Sequence, residues 1–183
     1  RKFAGDIIAI IGLGGTGSYV LDYLVKTPVK EVRAFDLDPF HVHNAFRSPG
    51  RLTLDELGKP KAEVYADRYD NFRHGLLLQP KLLDSTSASD LEGVTFAFVC
   101  VDKGSARGEL FKLLIAKGIP FIDVGMGPSL SKEGLIKGML RTTYYPPESA
   151  AAVVASGHAE TQDGPEDIYR TNIQIAELNA LNA

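Results

Sequence analysis

The 183 residues are 44% hydrophobic and 23% charged, which excludes a disordered chain and provides enough apolar mass for one domain with its own core. A formal net charge of −3 gives no electrostatic reason to expect nucleic acid or an anionic membrane surface as a partner. Cys100 is the one cysteine, so there is no internal disulfide and no Cys-x-x-Cys zinc pair, which favours a reducing compartment and a cytoplasmic location.

Asp6 to Ile11 is a short apolar run, mostly isoleucine, stopped by Gly12, and it reads as a buried parallel strand. It is far too short to span a bilayer, and no secretory signal is visible. Thr16 to Lys26 carries Val20, Leu21, Leu24 and Val25 at helical spacing, and Pro28 closes that helix. Glu31 to Asp38 is a second strand. A polar loop follows from Pro39 to Pro60. Lys61 to Phe72 is helical, with Ala62, Val64, Tyr65 and Tyr69 inward. Leu76 to Leu83 is a weaker strand interrupted by Pro80, and Val94 to Val101 is a strong buried one. Ala106 to Lys117 is a helix stopped by Gly118, Ile119 to Val124 another strand, and Leu135 to Tyr145 an edge or antiparallel strand. Pro146 to Pro165, rich in small and acidic residues, reads as a mobile loop, and Asp167 to Leu181 resumes helical spacing. Strands alternating with helices imply a Rossmann-like α/β three-layer sandwich, with a mostly parallel sheet and antiparallel edge strands. Residues 1–183 are expected to form one domain. The chain opens at Arg1 without methionine and stops within a helical pattern, so it is expected to be a piece of a longer protein.

Gly12-Leu13-Gly14-Gly15-Thr16-Gly17 joins the first strand to the first helix and fits G-x-G-x-x-G. Gly12 permits the tight turn, Gly14 lets a phosphate approach the backbone, and Gly17 lets helix and strand pack closely. The helix start offers free N–H groups to an anion, and Thr16 and Ser18 are possible hydroxyl donors. Asp36 ends the second strand 19 residues after Gly17, where an acid hydrogen-bonds ribose hydroxyls. To this point NAD and ATP are equally well served.

Four further features favour ATP. They are the acid pair Asp36-Leu37-Asp38, Asn44-Ala45-Phe46-Arg47, Gly58-Lys59-Pro60-Lys61 at a helix start, and Asp102 at the end of a strand. A polyphosphate needs cations, which Arg47 and Lys61 supply, and a carboxylate for Mg²⁺, which Asp102 supplies at the carboxyl edge of the sheet.

This series resembles the ThiF/MoeB/HesA family, bacterial relatives of the ubiquitin-activating enzymes, from about Ile7 to Tyr145. All five family features, G-x-G-G-x-G, D-x-D, N-x-x-R, G-x-P-K and a strand-terminal Asp, occur here in order. The resemblance implies an adenylyltransferase using ATP and Mg²⁺. The C-terminal carboxylate of a small ubiquitin-like or sulfur-carrier protein attacks the α-phosphate, giving an acyl-adenylate and pyrophosphate. Carried over by residue, Gly12, Gly14, Gly15, Thr16 and Gly17 cradle the nucleotide. Asp36 holds the ribose. Asn44, Arg47 and Lys61 line the triphosphate, Asp38 sits near the phosphates, and Asp102 binds the metal, with Arg47, Lys61 and Asp102 as the catalytic set. Relatives are usually symmetric, so a homodimer is expected. By position, residues 146–165 match the crossover segment that covers the site in relatives, and an ordinary linker is the alternative.

The chain departs from the family in reading Arg47-Ser48 for the usual Arg-Gln, and in lacking the leading arginine, the zinc cysteines and an obvious thioester cysteine. Cys100 lies in an apolar strand and reads as a core residue. His41 and His43 read as solvated loop residues, Lys59 as a surface charge, and Gly125, Gly127 and Gly134 as turns or close-packing positions. Arg107 is balanced between a surface cation pairing with Asp102 or Glu109 and a residue that orients Asp102. Two other functions stay open on sequence. A nicotinamide-dependent oxidoreductase would rest on the glycine loop and Asp36 alone, and a non-catalytic binding module would rest on the departures.

Overall fold

The chain folds as one six-stranded sheet of order β3-β2-β1-β4-β5-β6. The computed structural model describes residues 2–130, 133, 135–159, 161–162 and 176–183. The strands are β1 (Ile7–Ile11), β2 (Glu31–Phe35), β3 (Leu76–Gln79), β4 (Phe96–Val99), β5 (Phe121–Leu130) and β6 (Ile136–Tyr145). The first five are parallel, and β6 alone runs antiparallel, at one edge. The helices are α1 (Gly15–Leu24), α2 (Val42–Ala45), α3 (Lys61–Tyr69), α4 (Gly104–Ala116), α5 (Ala150–Ala155) and α6 (Ala176–Asn182).

The apolar runs of the central strands are buried because helices cover both faces. Alternate residues feed two cores. Ile8, Ile10, Val32 and Ala34 meet Val20 and Leu21 of α1 and Val64 and Tyr65 of α3. Ala9, Ile11, Ala97, Val99 and Phe121 meet Leu110, Phe111 and Leu114 of α4 on the opposite face. α4 stops at Ala116, and Gly118, with φ +65°, turns the chain so that the Ile119 N–H reaches the Leu114 carbonyl at 3.0 Å.

Three expectations need correction. The second strand ends at Phe35 rather than Asp38, because the Asp36 carboxylate turns back to accept the N–H groups of Leu13 and Asp38. The polar loop after it contains α2 and a 3-10 turn, Leu54–Glu56, each begun by a capping box and too short for a hydrophobic period. The stretch 146–165 is not structureless. It contains α5, with Val153 and Val154 packed on the α4-side core. Its residues 160 and 163–165, and residues 167–175 of the expected last helix, lie outside the described residues. The mostly parallel sheet with its antiparallel edge, the β5–β6 pair, is as expected.

Two local features place the C-terminal part of the chain. Gly104 and Gly108 make one face of α4 bare, and the backbone of Thr161 and Gln162 rests there, so that a Cβ at Gly104 would strike the Gln162 carbonyl. β5 pairs with β4 only at Phe121, Ile122 and Asp123, whereas its pairing with β6 continues to Leu130 opposite Ile136. Beyond Asp123 the two strands therefore leave the sheet as a ribbon, and α6 lies against it and against the start of α1.

Candidate nucleotide-binding site

The site forms where the strand order reverses. β1 lies between β2 and β4, and the loops leaving their carboxyl ends diverge around the glycine turn. Gly12 has φ +95°, and its N–H donates to the Phe35 carbonyl at 2.9 Å. A Cβ on Gly12 would approach the Cys100 carbonyl oxygen to 2.8 Å, so only glycine fits between the two neighbouring strand ends. A Cβ on Gly17 would collide with the Gly12 carbonyl, which is the close helix-to-strand contact expected of the third glycine. Gly14, the N-cap of α1, faces open space, with nothing within 4 Å of its built Cβ position.

The remaining loop residues are occupied inside the fold. A side chain at Gly15 would strike the Asn179 amide of α6, and the Thr16 hydroxyl donates to Asn179 Oδ1 at 3.2 Å. The Ser18 hydroxyl donates to the Gly15 carbonyl at 2.8 Å. The expected hydroxyl donors thus serve packing in this structure. What the loop presents is backbone: the first N–H groups of α1, which have no intrahelical acceptor.

The acid pair and the lysine are joined to this loop. Asp36 Oδ2 accepts from the Leu13 N–H at 2.7 Å. The Lys61 side chain lies between the acids, with Nζ 2.9 Å from Asp38 and 3.5 Å from Asp36. Lys61 is only 5% exposed, whereas the Asp38 side chain is 74% exposed. Burial raises the Asp36 pKa against the lowering influence of Lys61 and two backbone N–H donors. Asp38 is shifted down, first by its hydrogen bond from Lys61, with Lys103 and His41 adding attraction. Backbone bonds fix the approach of α3: Lys61 N–H to the Asp38 carbonyl at 2.9 Å and Phe40 N–H to the Lys59 carbonyl at 2.7 Å.

Arg47 follows α2. Its Nε is buried and has no hydrogen-bond partner among the described residues. Arg47 and Lys61 are both close enough to His43 to lower its pKa, although burial is the larger cause. Arg47 and Lys61 thus lie within electrostatic reach of the same histidine. Asn44 is buried, and its Oδ1 accepts from the His41 N–H at 2.7 Å, so it closes the turn that carries Arg47. Asp102 is exposed directly after Val101, and the adjacent Lys103 lies within electrostatic reach of Asp38. The β4–α4 loop thus comes within electrostatic reach of the acid pair. An unpartnered buried guanidinium nitrogen, a buried lysine and an open Gly14 suit a polyphosphate. The exposed Asp102 and Asp38 carboxylates are donors of the type Mg²⁺ takes together with phosphate oxygens. Among the described residues no cluster of three metal-binding side chains occurs, so His41 and His43, both exposed, have no third ligand.

The surface-cation expectation for Arg107 is corrected. It is buried, and it donates to Asp123 Oδ1 at 2.8 Å and to the Val101 carbonyl at 2.6 Å, not to the Asp102 side chain. Asp123, fully buried, also accepts from Arg141 at 2.9 Å. Sequence reading missed this three-residue cluster. The available signal was a lone acid inside the apolar strand Phe-Ile-Asp-Val. Burial pushes the Cys100 thiol pKa well up, in keeping with a core residue. Lys59, paired with Asp55 at 3.6 Å, lies on the surface.

The ThiF family model matches residues 4–166. The chain belongs to the ThiF family. Molybdopterin-synthase adenylyltransferase of Salmonella typhimurium is 26% identical over 133 residues, which are 70% of this chain and 51% of that protein. The tRNA threonylcarbamoyladenosine dehydratase of Escherichia coli is 35% identical over 68 residues, 37% of this chain and 25% of that one. The ThiF-family chain therefore spans from a quarter to about half the length of these relatives. Crystal structures of the E. coli dehydratase with AMP and with ATP share the fold, each with a TM-score of 0.63 and 23% identity over 72% of this chain. They are covered over 55% and 56% of their own length. No helix among the described residues is long and apolar enough to cross a membrane.

Proposed function

We propose that this ThiF-family chain adenylates a carboxylate, and that its substrate is the C-terminal carboxylate of a small ubiquitin-like or sulfur-carrier protein or peptide. The observation that carries the reading is the joining of the glycine turn, the acid pair and Lys61, with a buried Arg47 nitrogen that has no hydrogen-bond partner among the described residues. ATP with Mg²⁺ would supply an electrophilic α-phosphate. A carboxylate oxygen bonds to that phosphorus, the bond to the β-phosphate oxygen breaks, and pyrophosphate leaves. The protein supplies no nucleophile. Its side chains position and neutralise charge.

In this reading the Gly14 turn and the start of α1 receive phosphate, and Asp36 receives the ribose. Arg47 and Lys61 neutralise the polyphosphate, with Asn44 holding the Arg47 turn. Asp102 binds Mg²⁺, with Asp38 nearby. Lys61 must leave Asp38 to do so, which is an exchange of one anion for another. An NAD-dependent oxidoreductase has no use for these cations. The related dehydratase is named for a tRNA nucleoside, but a net charge of −3 gives this chain no general attraction for RNA. The expected setting is a cytoplasmic homodimer.

The test is ATP–pyrophosphate exchange with candidate carrier proteins ending in glycine, together with calorimetry of nucleotides alone. Wild type should bind ATP·Mg more tightly than NADH, and Lys61→Ala and Asp102→Ala should each lose exchange by on the order of 100-fold or more. Unchanged exchange in both variants would remove the site assignment.

A further inference from the structure

Arg47 takes its aim from the backbone that carries it. It follows the four-residue α2 and is half-buried. Its Nε has no hydrogen-bond partner among the described residues, and no salt bridge to a described residue holds the guanidinium. Before it, Asn44 Oδ1 closes on the His41 N–H at 2.7 Å. After it, residues 48–52 run without helix or strand. Over that stretch the one backbone hydrogen bond among the described residues is accepted by the Pro49 carbonyl, from Arg68 Nη1 at 3.0 Å. Gly50, with φ +91°, then turns the chain beside the guanidinium of Arg68, where a Cβ would stand 3.4 Å from Nη1.

Arg68 is itself held on several sides. Its Nε and Nη2 donate to the two Glu56 carboxylate oxygens at 2.8 Å and 2.9 Å, and Glu56 Oε2 also accepts from the Thr53 N–H at 2.8 Å. The guanidinium lies 5.0 Å from the centroid of the Phe40 ring and 5.5 Å from that of Tyr65. Its side chain is 13% exposed. A planar fork fixed by hydrogen bonds and ring faces has a defined orientation, unlike a point charge on a flexible stem. Lys61, Tyr65 and Arg68 stand at i, i+4 and i+7 of α3, on one face of the helix. Lys61, at the start of that face, grips Asp38 and Asp36. Arg68, two turns on, grips the chain just after Arg47. One helix therefore holds Lys61 and the turn that carries Arg47.

We propose that Arg68 is a positioning residue: it ties the turn that carries Arg47 to α3, and so aims the Arg47 charge at the polyphosphate. The inference rests on the reading of Arg47 as a phosphate-neutralising cation, and it names what aims that cation. Arg68 acts through the turn and not by contact with the nucleotide.

The test is a double-mutant cycle on ATP·Mg affinity, measured by calorimetry at a temperature where circular dichroism shows every variant folded. Its members are Arg47→Gln, Arg68→Met and the two together. Methionine keeps an apolar stem over Phe40 and Tyr65 and removes the fork. Arg47→Gln should weaken binding by about 10-fold or more, and Arg68→Met by about fivefold or more. The double variant should stay within about twofold of Arg47→Gln, because a turn without its cation has nothing left to aim. Arg68→Lys should recover part of the affinity. If Arg68→Met does not fold, Glu56→Gln, which loosens the fork, takes its place in the cycle. Unchanged binding in Arg68→Met, or a loss that adds in full to that of Arg47→Gln, would overturn this proposal alone. Wild-type affinity in Arg47→Gln would overturn the part given to Arg47 and this inference with it. A wild-type protein that does not bind ATP·Mg would overturn both together with the nucleotide site.

Discussion

Among the loop glycines, position determines what a methyl group would do. At Gly17 it would enter the Gly12 carbonyl, and at Gly14 it would enter empty space. Gly17→Ala is therefore expected to destabilise the protein by about 2 kcal/mol or more, seen as a lower Tm without ligand. Gly14→Ala should leave the Tm nearly unchanged while weakening ATP·Mg binding. The sequence motif treats these glycines as one pattern, and only the three-dimensional contacts separate the packing residue from the ligand-facing one. Lys61 is a candidate site residue on sequence, yet its partners within the chain were not legible, because Asp36 and Asp38 lie 25 and 23 positions away. Cys100 makes a further residue-scale case. Its raised thiol pKa means little thiolate at neutral pH. Iodoacetamide should label it only after denaturation, and fast labelling of the folded protein would contradict the core assignment.

At the scale of elements, the strands and long helices followed hydrophobic period closely, whereas α2, the Leu54–Glu56 turn and α5 did not. Each is shorter than two helical turns, so no period could develop, and capping or tertiary contact decides it. The Glu56–Arg68 pair anchors that loop to α3, with Arg68 Nε and Nη2 donating at 2.8 Å and 2.9 Å. The pair shifts the Glu56 pKa down, first through the hydrogen bond from Arg68. Because the folded pKa is lower than the unfolded one, this contribution is complete above the unfolded glutamate value of about 4.3 and is lost as pH falls through the lower folded value. Glu56→Gln should thus cost about 1–2 kcal/mol at pH 7 and much less at pH 3, measured by urea unfolding. A wild-type advantage that persists at pH 3 would argue against the pair as its source. The Arg107–Asp123–Arg141 cluster escaped sequence reading for a related reason. Its members lie on α4, β5 and β6, and no local spacing links them.

For the whole molecule, the expected Rossmann-like order emerges because βαβ crossovers place α1 and α3 on one face and α4 on the other. The candidate site then falls at the reversal of strand order by topology alone, so its expected location follows from the expected fold. What lies on that edge from the C-terminal third was not, since residues 146–165 have no period. Ligand binding to one state should stabilise the whole fold. ATP·Mg at 100 times its Kd should add about 2.7 kcal/mol, a rise of roughly 5–10 °C in Tm for a chain of this size. Lys61→Ala should abolish the rise. A rise that survives in this variant would place the nucleotide elsewhere.

The ribbon beyond Asp123 has a further consequence. Two strands alone in water are marginally stable, so this one needs a backing. α6 provides it. Leu178 sits over Gly138, and Asn182 bonds both to the Gly125 carbonyl and to Thr142, while Asn179 of the same short helix grips the glycine turn. One seven-residue helix therefore splints a protruding arm to the phosphate turn. A proteolytic nick just ahead of Ala176 that freed this splint would loosen both at once, and amide exchange would quicken in the arm and in the first turn of α1 together.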